Sequence, residues 1–270
     1  MSEILKKIIT VKQSEVADAQ SRVTLSELKK QVADLPRFRN FYRAITKENP
    51  RGINVIAEIK RASPSAGLIR EDFDPVRLAD LYQRCGADAI SVLTDKSFFQ
   101  GSLDYIGQVK TASDLPVLRK DFIIDPYQVY EARAAGADAI LLIAEALNVG
   151  RLSDLMILAH SLTLSVLLEV HEIDSLLRIR SMIGFPQEHY TLLGINNRNL
   201  KTMQVDPGNS LRLRELVDRE KGLVSESGIN RRDQVEALIR AGFDGILMGE
   251  TLMRSHDIAK TFVELFDPRE

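Results

Sequence analysis

One joint recurs along this chain of 270 residues: a glycine that ends a helical segment is followed by a short apolar run. It reads G-A-D-A-I-S-V-L from Gly86, G-A-D-A-I-L-L-I from Gly136 and G-F-D-G-I-L-M-G from Gly242. A glycine suits the left-handed position after a helix, and a continuous apolar run suits a strand that is buried on both faces. The pattern therefore predicts repeated helix-to-strand units in a parallel sheet.

The repeat predicts eight strands. We place them near residues 54–60, 88–94, 116–120, 138–144, 164–170, 191–197, 222–226 and 244–249. Helical patterns fill the intervals, near 75–85, 103–113, 126–135, 149–160, 173–182, 208–219, 231–240 and 257–266. Eight such units with right-handed crossovers close a barrel, so we predict a single (β/α)8 TIM barrel. A doubly wound open sheet is the alternative fold, but no G-x-G-x-x-G nucleotide motif follows the first strand.

Residues 1–50 lie outside the repeat and have helical patterns of their own. Ile4, Leu5 and Ile8 have helical spacing, and Thr24 to Glu27 matches a capping box. We predict an N-terminal helical extension, residues 1–50, packed on a barrel formed by residues 51–270, the whole being one domain. The extension either packs across one barrel end as a structural element or covers the active site.

Composition excludes several classes of partner. With 36 Lys and Arg against 38 Asp and Glu, the chain has no general positive field for nucleic acid. No apolar stretch approaches the roughly 20 residues of a membrane span, and the N-terminus lacks the apolar core of a signal peptide. The single cysteine, Cys85, rules out an intrachain disulfide. We predict a cytoplasmic protein, a monomer or weak homodimer, that binds neither membrane nor nucleic acid.

Polar groups follow the predicted strands at the same end of each. Glu58 and Lys60 share a face because residues two apart in a strand point the same way. The carboxyl ends of barrel strands form the active sites of TIM barrels, so these groups should converge. Lysine and glutamate side chains in a partly dry cavity neutralise one another and can act as acids and bases. The set is Glu58, Lys60, Lys120, Glu169, Asn196, Arg198, Glu226 and Ser227.

The last two strand ends carry glycines, in E-S-G-I-N-R-R-D from Glu226 and M-G-E-T-L-M from Met248. Gly228 and Gly249 allow backbone N–H groups to approach a ligand, and we expect a short helix after Gly249. The loops after strands seven and eight are the usual phosphate site of this fold. The long loop after Lys60, with Ser63 and Ser65, is predicted to act as a lid and to bind ligand.

Metal and nucleophile motifs are absent from the sequence. The four histidines have no H-x-x-x-H spacing, and neither a G-x-S-x-G elbow nor a P-loop occurs. His171 lies two residues after Glu169 and could share its face, but we favour a loop histidine. The residues therefore predict chemistry on lysine and glutamate without a metal.

Ordered motifs along residues 4 to 265 closely resemble the indole-3-glycerol-phosphate synthase family. They include V-I-A-E-I-K-R-A-S-P-S, S-F-F-Q-G-S, V-L-R-K-D-F-I-I-D-P-Y-Q, L-L-E-V-H, G-I-N-N-R-N-L and S-E-S-G-I. The resemblance implies ring closure of 1-(2-carboxyphenylamino)-1-deoxyribulose 5-phosphate, a small phosphorylated substrate, with loss of carbon dioxide and water. It also implies a TIM barrel with an N-terminal helical extension and no cofactor.

The resemblance also implies roles for individual residues. Lys120 corresponds to the general acid of ring closure. Lys60 corresponds to the group that binds the departing carboxylate and is a candidate acid for dehydration, partnered by either Glu58 or Glu169. Asn196 and Arg198 would orient a hydroxyl and steady a carboxylate or the closed loop. The phosphate site would comprise Ser63, Ser227, Gly228, Gly249 and Glu250, and the wall around the aromatic ring Pro64, Phe99 and Phe122.

Two residues depart from the family pattern. Glu250 stands where a small polar residue also occurs, which is harmless if only its N–H binds phosphate. Glu145 stands after strand four, where a more apolar residue is expected; it is either a solvated loop residue or part of the site rim. Other readings are a phosphoribosylanthranilate isomerase, which needs a cysteine at a strand end, and a non-catalytic barrel that senses a phosphorylated metabolite.

Overall fold

The apolar runs of the repeat form the strands of the computed structural model, which describes residues 2–33, 35, 39–218 and 221–267. Within these residues, eight parallel strands close into a barrel, so the predicted fold is confirmed. Each strand pairs with the next along the chain, and the last pairs with the first. Every strand begins and ends within one residue of its predicted bounds. The strands are β1 (Asn54–Ile59), β2 (Ala89–Leu93), β3 (Val117–Lys120), β4 (Ala139–Ile143), β5 (Ser165–Val170), β6 (Thr191–Asn196), β7 (Leu223–Glu226) and β8 (Gly245–Met248).

Helices precede the barrel and connect its strands. Before the barrel come α1 (Glu3–Arg22), α2 (Leu25–Ala33) and α3 (Phe41–Thr46). The connecting helices are α4 (Pro75–Arg84), α5 (Lys96–Phe99), α6 (Asp104–Ala112), α7 (Pro126–Ala134), α8 (Val149–Ser161), α9 (Ile173–Ile179), α10 (Gly208–Arg214), α11 (Arg232–Arg240), α12 (Glu250–Arg254) and α13 (Ile258–Phe266). The short helix expected after Gly249 is α12, whereas α5 was not predicted.

Two predicted helices are shorter than expected. The segment 173–182 is α-helical only to Ile179 and continues as a 3₁₀ turn, Arg180–Met182. The segment 208–219 ends as a helix at Arg214, and its last residue lies outside the described residues. Both predicted helices are thus present, but each ends earlier than expected.

Local sequence fixes where the connecting helices begin. Asp74 and Asp125 cap α4 and α7 by accepting hydrogen bonds from backbone N–H groups of the first turn. A proline, Pro75 or Pro126, follows each cap, where its missing N–H costs nothing. The strong start signals explain why these helices begin at their predicted residues.

The core has two layers separated by the barrel wall. Alternate strand residues such as Val55 and Ala57 face outward and pack against the helices. Ile56 and Leu118 face the barrel interior, in a cluster that also contains Phe41 and Ile45 of α3. Because Ile45 contacts the first residue of β8, α3 closes the amino-terminal end of the barrel.

The N-terminal helices are held to the barrel by specific contacts. The predicted capping box is present, since Thr24 and Glu27 bond each other's backbone N–H at 2.7 and 3.3 Å. The hydroxyl of Tyr127 on α7 donates to carbonyls of Ala19 and Val23 at the end of α1. Among the helices of the described ranges, none has the length and apolar character to cross a membrane.

The loop after β1, predicted to be a lid, contains secondary structure of its own. Two short antiparallel strands, Ala62–Ser63 and Gly67–Leu68, form a small ribbon within it. Arg70 then donates to the carbonyls of Met253 and Ser255 at 3.3 and 3.4 Å, which tethers the loop to the end of α12. The loop is therefore attached to β1 before its ribbon and to the end of α12 after it.

Candidate active site

Alternation along the strands decides which polar side chains face the interior. Ile56 belongs to the inner cluster, so Glu58, two residues on, faces the interior as well. The same spacing from Leu118, Leu167, Val224 and Leu247 places four more groups on this face. These are Lys120, Glu169, Glu226 and Gly249.

All fourteen site residues predicted from the sequence line a single cavity of about 380 Å³ at this end of the barrel. A volume of this size accommodates a small metabolite. The fold therefore brings the predicted residues together, while the role of each remains a prediction. They are Glu58, Lys60, Ser63, Pro64, Phe99, Lys120, Phe122, Glu169, Asn196, Arg198, Ser227, Gly228, Gly249 and Glu250.

Glu58 and Lys60 form an ion pair at the end of β1. Lys60 Nζ lies 2.6 Å from Glu58 Oε1, and both side chains are largely buried. Gly249 makes this arrangement possible, because a Cβ atom there would lie 2.1 Å from Glu58 Oε1. The pair places an ammonium and a carboxylate within reach of one bound molecule.

Lys120 lies between two carboxyl groups on the other side of the cavity. Its Nζ is 3.0 Å from Glu169 Oε2 and 3.3 Å from Glu226 Oε2. Both glutamate side chains are almost fully buried. Gly194 on β6 leaves room for Glu226, since a Cβ atom there would lie 2.2 Å from Glu226 Oε1.

Burial and neighbouring charges shift the pKa values of Lys120, Glu169 and Glu226 in different directions. Burial opposes the charged form of Lys120, but the carboxylates around it outweigh burial and raise the pKa of Lys120 well above its ordinary value. Burial also opposes ionisation of Glu169, yet the charges of Lys120 and His171 hold its pKa well below the usual range. Burial and the charge of Glu169 raise the pKa of Glu226. The cluster thus favours the ammonium form of Lys120 and the ionised form of Glu169, and it disfavours ionisation of Glu226.

The side chains of His171 and Glu145 are largely buried and contact each other. His171 lies in the loop between β5 and α9, as predicted, but its side chain is buried and paired: Nε2 lies 3.3 Å from Glu169 Oε1, and Nδ1 lies 3.1 Å from Glu145 Oε2. Glu145 is likewise not solvated, since its side chain is 10% exposed and also accepts from the His171 backbone N–H at 2.9 Å. The apolar surroundings of the turn make such pairing necessary for a buried carboxylate.

Asn196 and Arg198 shape the rim after β6. The Asn196 side-chain oxygen accepts from the Arg198 backbone N–H at 3.0 Å. Arg198 donates to the carbonyl of Met203 at 3.0 Å, and another of its nitrogens lies 3.6 Å from Glu250 Oε2. The guanidinium is thus held at the edge of the cavity with part of its donor capacity available to an anion.

Apolar side chains form another part of the cavity wall. The rings of Phe99 and Phe122 lie 6.1 Å apart between centroids and are tilted by 38°. Ile4, Leu5 and Ile8 of α1 also line the cavity. The N-terminal extension therefore covers the site as well as packing on the barrel, and this wall suits an aromatic ring.

The end of the cavity near β7 and β8 has small residues and backbone groups. Ser227 and Gly228 both have positive φ, and a Cβ atom at Gly228 would lie 2.3 Å from Val205 Cγ1. The carboxylate of Glu250 turns to Arg254, with Nε 2.9 Å from Oε1. Ser63 lines the same cavity from the ribbon. The residues of the predicted phosphate site thus line the same cavity, and their role stays a prediction.

Sequence reasoning missed the partners of Glu169. Sequence patterns put Glu226 at a strand end without an individual role and favour a loop position for His171. They leave Glu145 as either a solvated loop residue or part of the site rim. The spacing of His171, two after Glu169, was the available signal. Glu145 gave none, because it meets His171 only through the pairing of β4 with β5.

A family model and a known relative match nearly the whole chain. The family model described as indole-3-glycerol phosphate synthase matches residues 5–265. An indole-3-glycerol phosphate synthase from Delftia acidovorans is 43% identical over 275 residues, which cover 98% of this chain and all of that protein.

Solved structures share the fold at low identity. A 3-hexulose-6-phosphate synthase superposes with a TM-score of 0.60 at 18% identity, over 79% of this chain and 98% of that one. A mutant tryptophan synthase α-subunit from Pyrococcus furiosus gives 0.57 at 14% identity, over 78% and 97%. A thiamine phosphate pyrophosphorylase from the same organism gives 0.55 at 20%, over 80% and 96%. These likenesses concern the barrel alone.

Proposed function

The chain belongs to the indole-3-glycerol phosphate synthase family, and from this membership we propose which residues carry out each step of its reaction. The enzyme is a carboxy-lyase of tryptophan biosynthesis. It converts 1-(2-carboxyphenylamino)-1-deoxyribulose 5-phosphate into indole-3-glycerol phosphate, with loss of carbon dioxide and water.

The reaction has three chemical demands. The ring carbon that bears the carboxylate attacks the ribulose carbonyl, whose oxygen must gain a proton as the C–C bond forms. Carbon dioxide then leaves, and its bonding electrons restore the aromatic ring. Finally the new hydroxyl leaves as water after protonation, while a base takes a proton from the methylene next to nitrogen. The site must therefore supply two acids and one base.

Lys120 is the general acid of ring closure in our proposal. The observation that carries this assignment is its position, 3.0 Å from Glu169 and 3.3 Å from Glu226, which keeps it protonated. An ammonium so stabilised gives up its proton only to a strong base, and the alkoxide that forms during attack is such a base. Glu169 orients Lys120 through their hydrogen bond.

Lys60 and Glu58 serve the dehydration. Lys60 first binds the carboxylate of the substrate and later protonates the departing hydroxyl, and Glu58 accepts the methylene proton. Their 2.6 Å contact supports this pairing, because a proton that reaches Glu58 lies next to the lysine that has just lost one. Glu169 is the alternative base, but it already contacts Lys120 and His171.

The remaining residues bind the substrate. Pro64, Phe99 and Phe122 enclose the aromatic ring, whose burial favours binding. Asn196 orients a hydroxyl, and Arg198 attracts the carboxylate. The phosphate binds to backbone N–H groups and hydroxyls near the ends of β7 and β8. That subsite comprises Ser63, Ser227, Gly228, Gly249 and the backbone of Glu250.

A single-turnover comparison tests this division of roles. Glu58→Gln should accumulate a product that has lost carbon dioxide but kept its hydroxyl, detected by mass spectrometry of the quenched reaction. Lys120→Met should release neither carbon dioxide nor water. Accumulation of the hydroxylated intermediate by Glu169→Gln, but not by Glu58→Gln, would transfer the role of base to Glu169.

The proposal extends to the setting of the enzyme. We propose that it works in the cytoplasm as a monomer or weak homodimer, without a cofactor, and that residues 1–50 and the barrel form one domain. The buried contacts of α1 and α3 with the barrel support the single domain. Sedimentation of the purified protein over a range of concentrations measures the oligomeric state.

A further inference from the structure

A row of alternating charges continues beyond Glu169, away from Lys120. Glu169 uses Oε2 toward Lys120 and Oε1 toward His171 Nε2, at 3.0 and 3.3 Å. The other ring nitrogen of His171 faces Glu145 Oε2 at 3.1 Å. Each ring nitrogen thus meets a carboxylate oxygen, so that carboxylates hold the imidazole on both sides.

The contacts on Glu145 fix the imidazole ring. One oxygen of Glu145 accepts from the His171 backbone N–H at 2.9 Å and the other faces the ring, so the backbone and side chain of His171 are held together. Asn209 also donates to the His171 carbonyl at 3.1 Å. Arg178 of α9 donates to the carbonyls of Ala144 and Leu147, on either side of Glu145.

We propose that Glu145 and His171 form a positioning pair that fixes one oxygen of Glu169 and so orients this carboxylate beside Lys120. The proposal rests on the role given to Glu169 in ring closure. His171 is a positioning residue, because it acts on Lys120 only through Glu169. The pair is buried: the side chains of His171 and Glu145 are 2% and 10% exposed, so water does not compete for these contacts.

The charges around Glu169 determine in which direction its pKa should change in the variants. The ammonium of Lys120 and the ring of His171 both lower the pKa of Glu169, against the effect of its burial. Removing the His171 ring, or the carboxylate that holds this ring in place, should therefore raise the pKa of Glu169. The groups that face the pair and Glu169 are Lys120 of β3, Glu226 of β7, Glu58 of β1, and Ser175 and Arg178 of α9.

The test compares His171→Asn and Glu145→Gln with the wild-type enzyme. We expect kcat to fall about 10- to 100-fold with KM changed by less than about three-fold, because ground-state binding is untouched. The acid limb of the kcat–pH profile should move to higher pH in both variants. Glu145→Gln keeps the shape of the side chain and an acceptor for the His171 N–H, so a merely structural role would leave its profile unchanged.

Matched controls are His256→Asn and Glu48→Gln, which make the same substitutions at exposed positions. Both should retain the wild-type kcat and pH profile. Glu169→Gln separates the two proposals. If it keeps wild-type turnover, the role of Glu169 in catalysis fails. If it is inactive while His171→Asn and Glu145→Gln keep the wild-type acid limb, the positioning pair alone is overturned.

Discussion

At the scale of single residues, the absence of side chains matters as much as the catalytic groups. Gly249 has no side chain, and a Cβ atom at this position would lie only 2.1 Å from Glu58 Oε1 and 3.0 Å from Lys60 Nζ. The acid and base at the end of β1 therefore depend on the glycine that follows β8, the strand next to β1 in the barrel.

Gly249→Ala should lower kcat by about 10- to 100-fold, because displacing Glu58 misplaces the dehydration pair. Gly107→Ala on α6 is the matched control, since a Cβ atom there meets nothing within 4 Å. Steady-state kinetics of both variants give the result. Equal kcat values for the two alanine variants would contradict the dependence of the pair on Gly249.

Glu226 gives a second prediction, about stability. Its pKa is raised in the folded protein, so above about pH 4.5, the ordinary value, the unfolded chain loses a proton that the folded protein keeps. The free energy of unfolding should therefore fall as pH rises from 4.5 toward the folded pKa. Glu226→Gln removes this fall, because glutamine does not ionise.

Urea denaturation between about pH 5 and pH 8 measures this difference. The stability of Glu226→Gln relative to wild type should increase with pH. Glu169 does not interfere, because its lowered pKa confines its own linkage to pH values below about 4.5. A constant difference across the range would mean that Glu226 is ionised in the folded protein.

At the scale of elements, α1 is attached to the barrel through a buried cation. Lys12 is 4% exposed, and its Nζ lies 2.9 Å from both Asp95 Oδ2 and Asp121 Oδ1 and 2.6 Å from Glu15 Oε2. Asp121 directly follows Lys120 in the chain. The helix that covers the cavity is thus tied to the strand end that carries the proposed general acid.

Lys12→Met should destabilise the protein by about 3 kcal/mol, because it leaves Asp95 buried without its cation. The value lies at the low end for a broken buried pair, since Asp121 keeps Arg119 at 3.1 Å. KM should also rise, because α1 supplies part of the apolar wall. Urea denaturation and kinetics of Lys12→Met and of Lys7→Met, at an exposed position of α1, provide the comparison. Equal stability of the two variants would contradict the anchoring role of Lys12.

The elements also mark how far the sequence predicts the structure. Apolar runs, three of which follow a glycine joint, locate every barrel strand within one residue, because buried parallel strands have strong local signals. The four-residue α5 is too short for a periodic pattern. The pairing of Glu145 with His171 joins two strand ends, and the buried Arg119 pairs with Glu131 of α7 at 2.8 Å. Such contacts depend on tertiary packing, which local patterns do not encode.

At the scale of the whole molecule, the barrel is closed at both ends by the N-terminal helices. Phe41 and Ile45 of α3 fill the amino-terminal end, and Leu5 and Ile8 of α1 cover the catalytic end. The ion pairs of the site are consequently kept from bulk water, where they would be weaker. The predicted catalytic groups converge because the carboxyl ends of all eight strands lie at the same end of the closed barrel.

The most direct test of the account is indole fluorescence on mixing the protein with 1-(2-carboxyphenylamino)-1-deoxyribulose 5-phosphate. The chain has no tryptophan, so its own emission is low. The wild-type protein and the exposed control Lys260→Met should produce growing indole emission. Lys120→Met should produce none, yet still bind the substrate by calorimetry. Indole formation by Lys120→Met at the wild-type rate would contradict the assignment of Lys120 as the acid of ring closure.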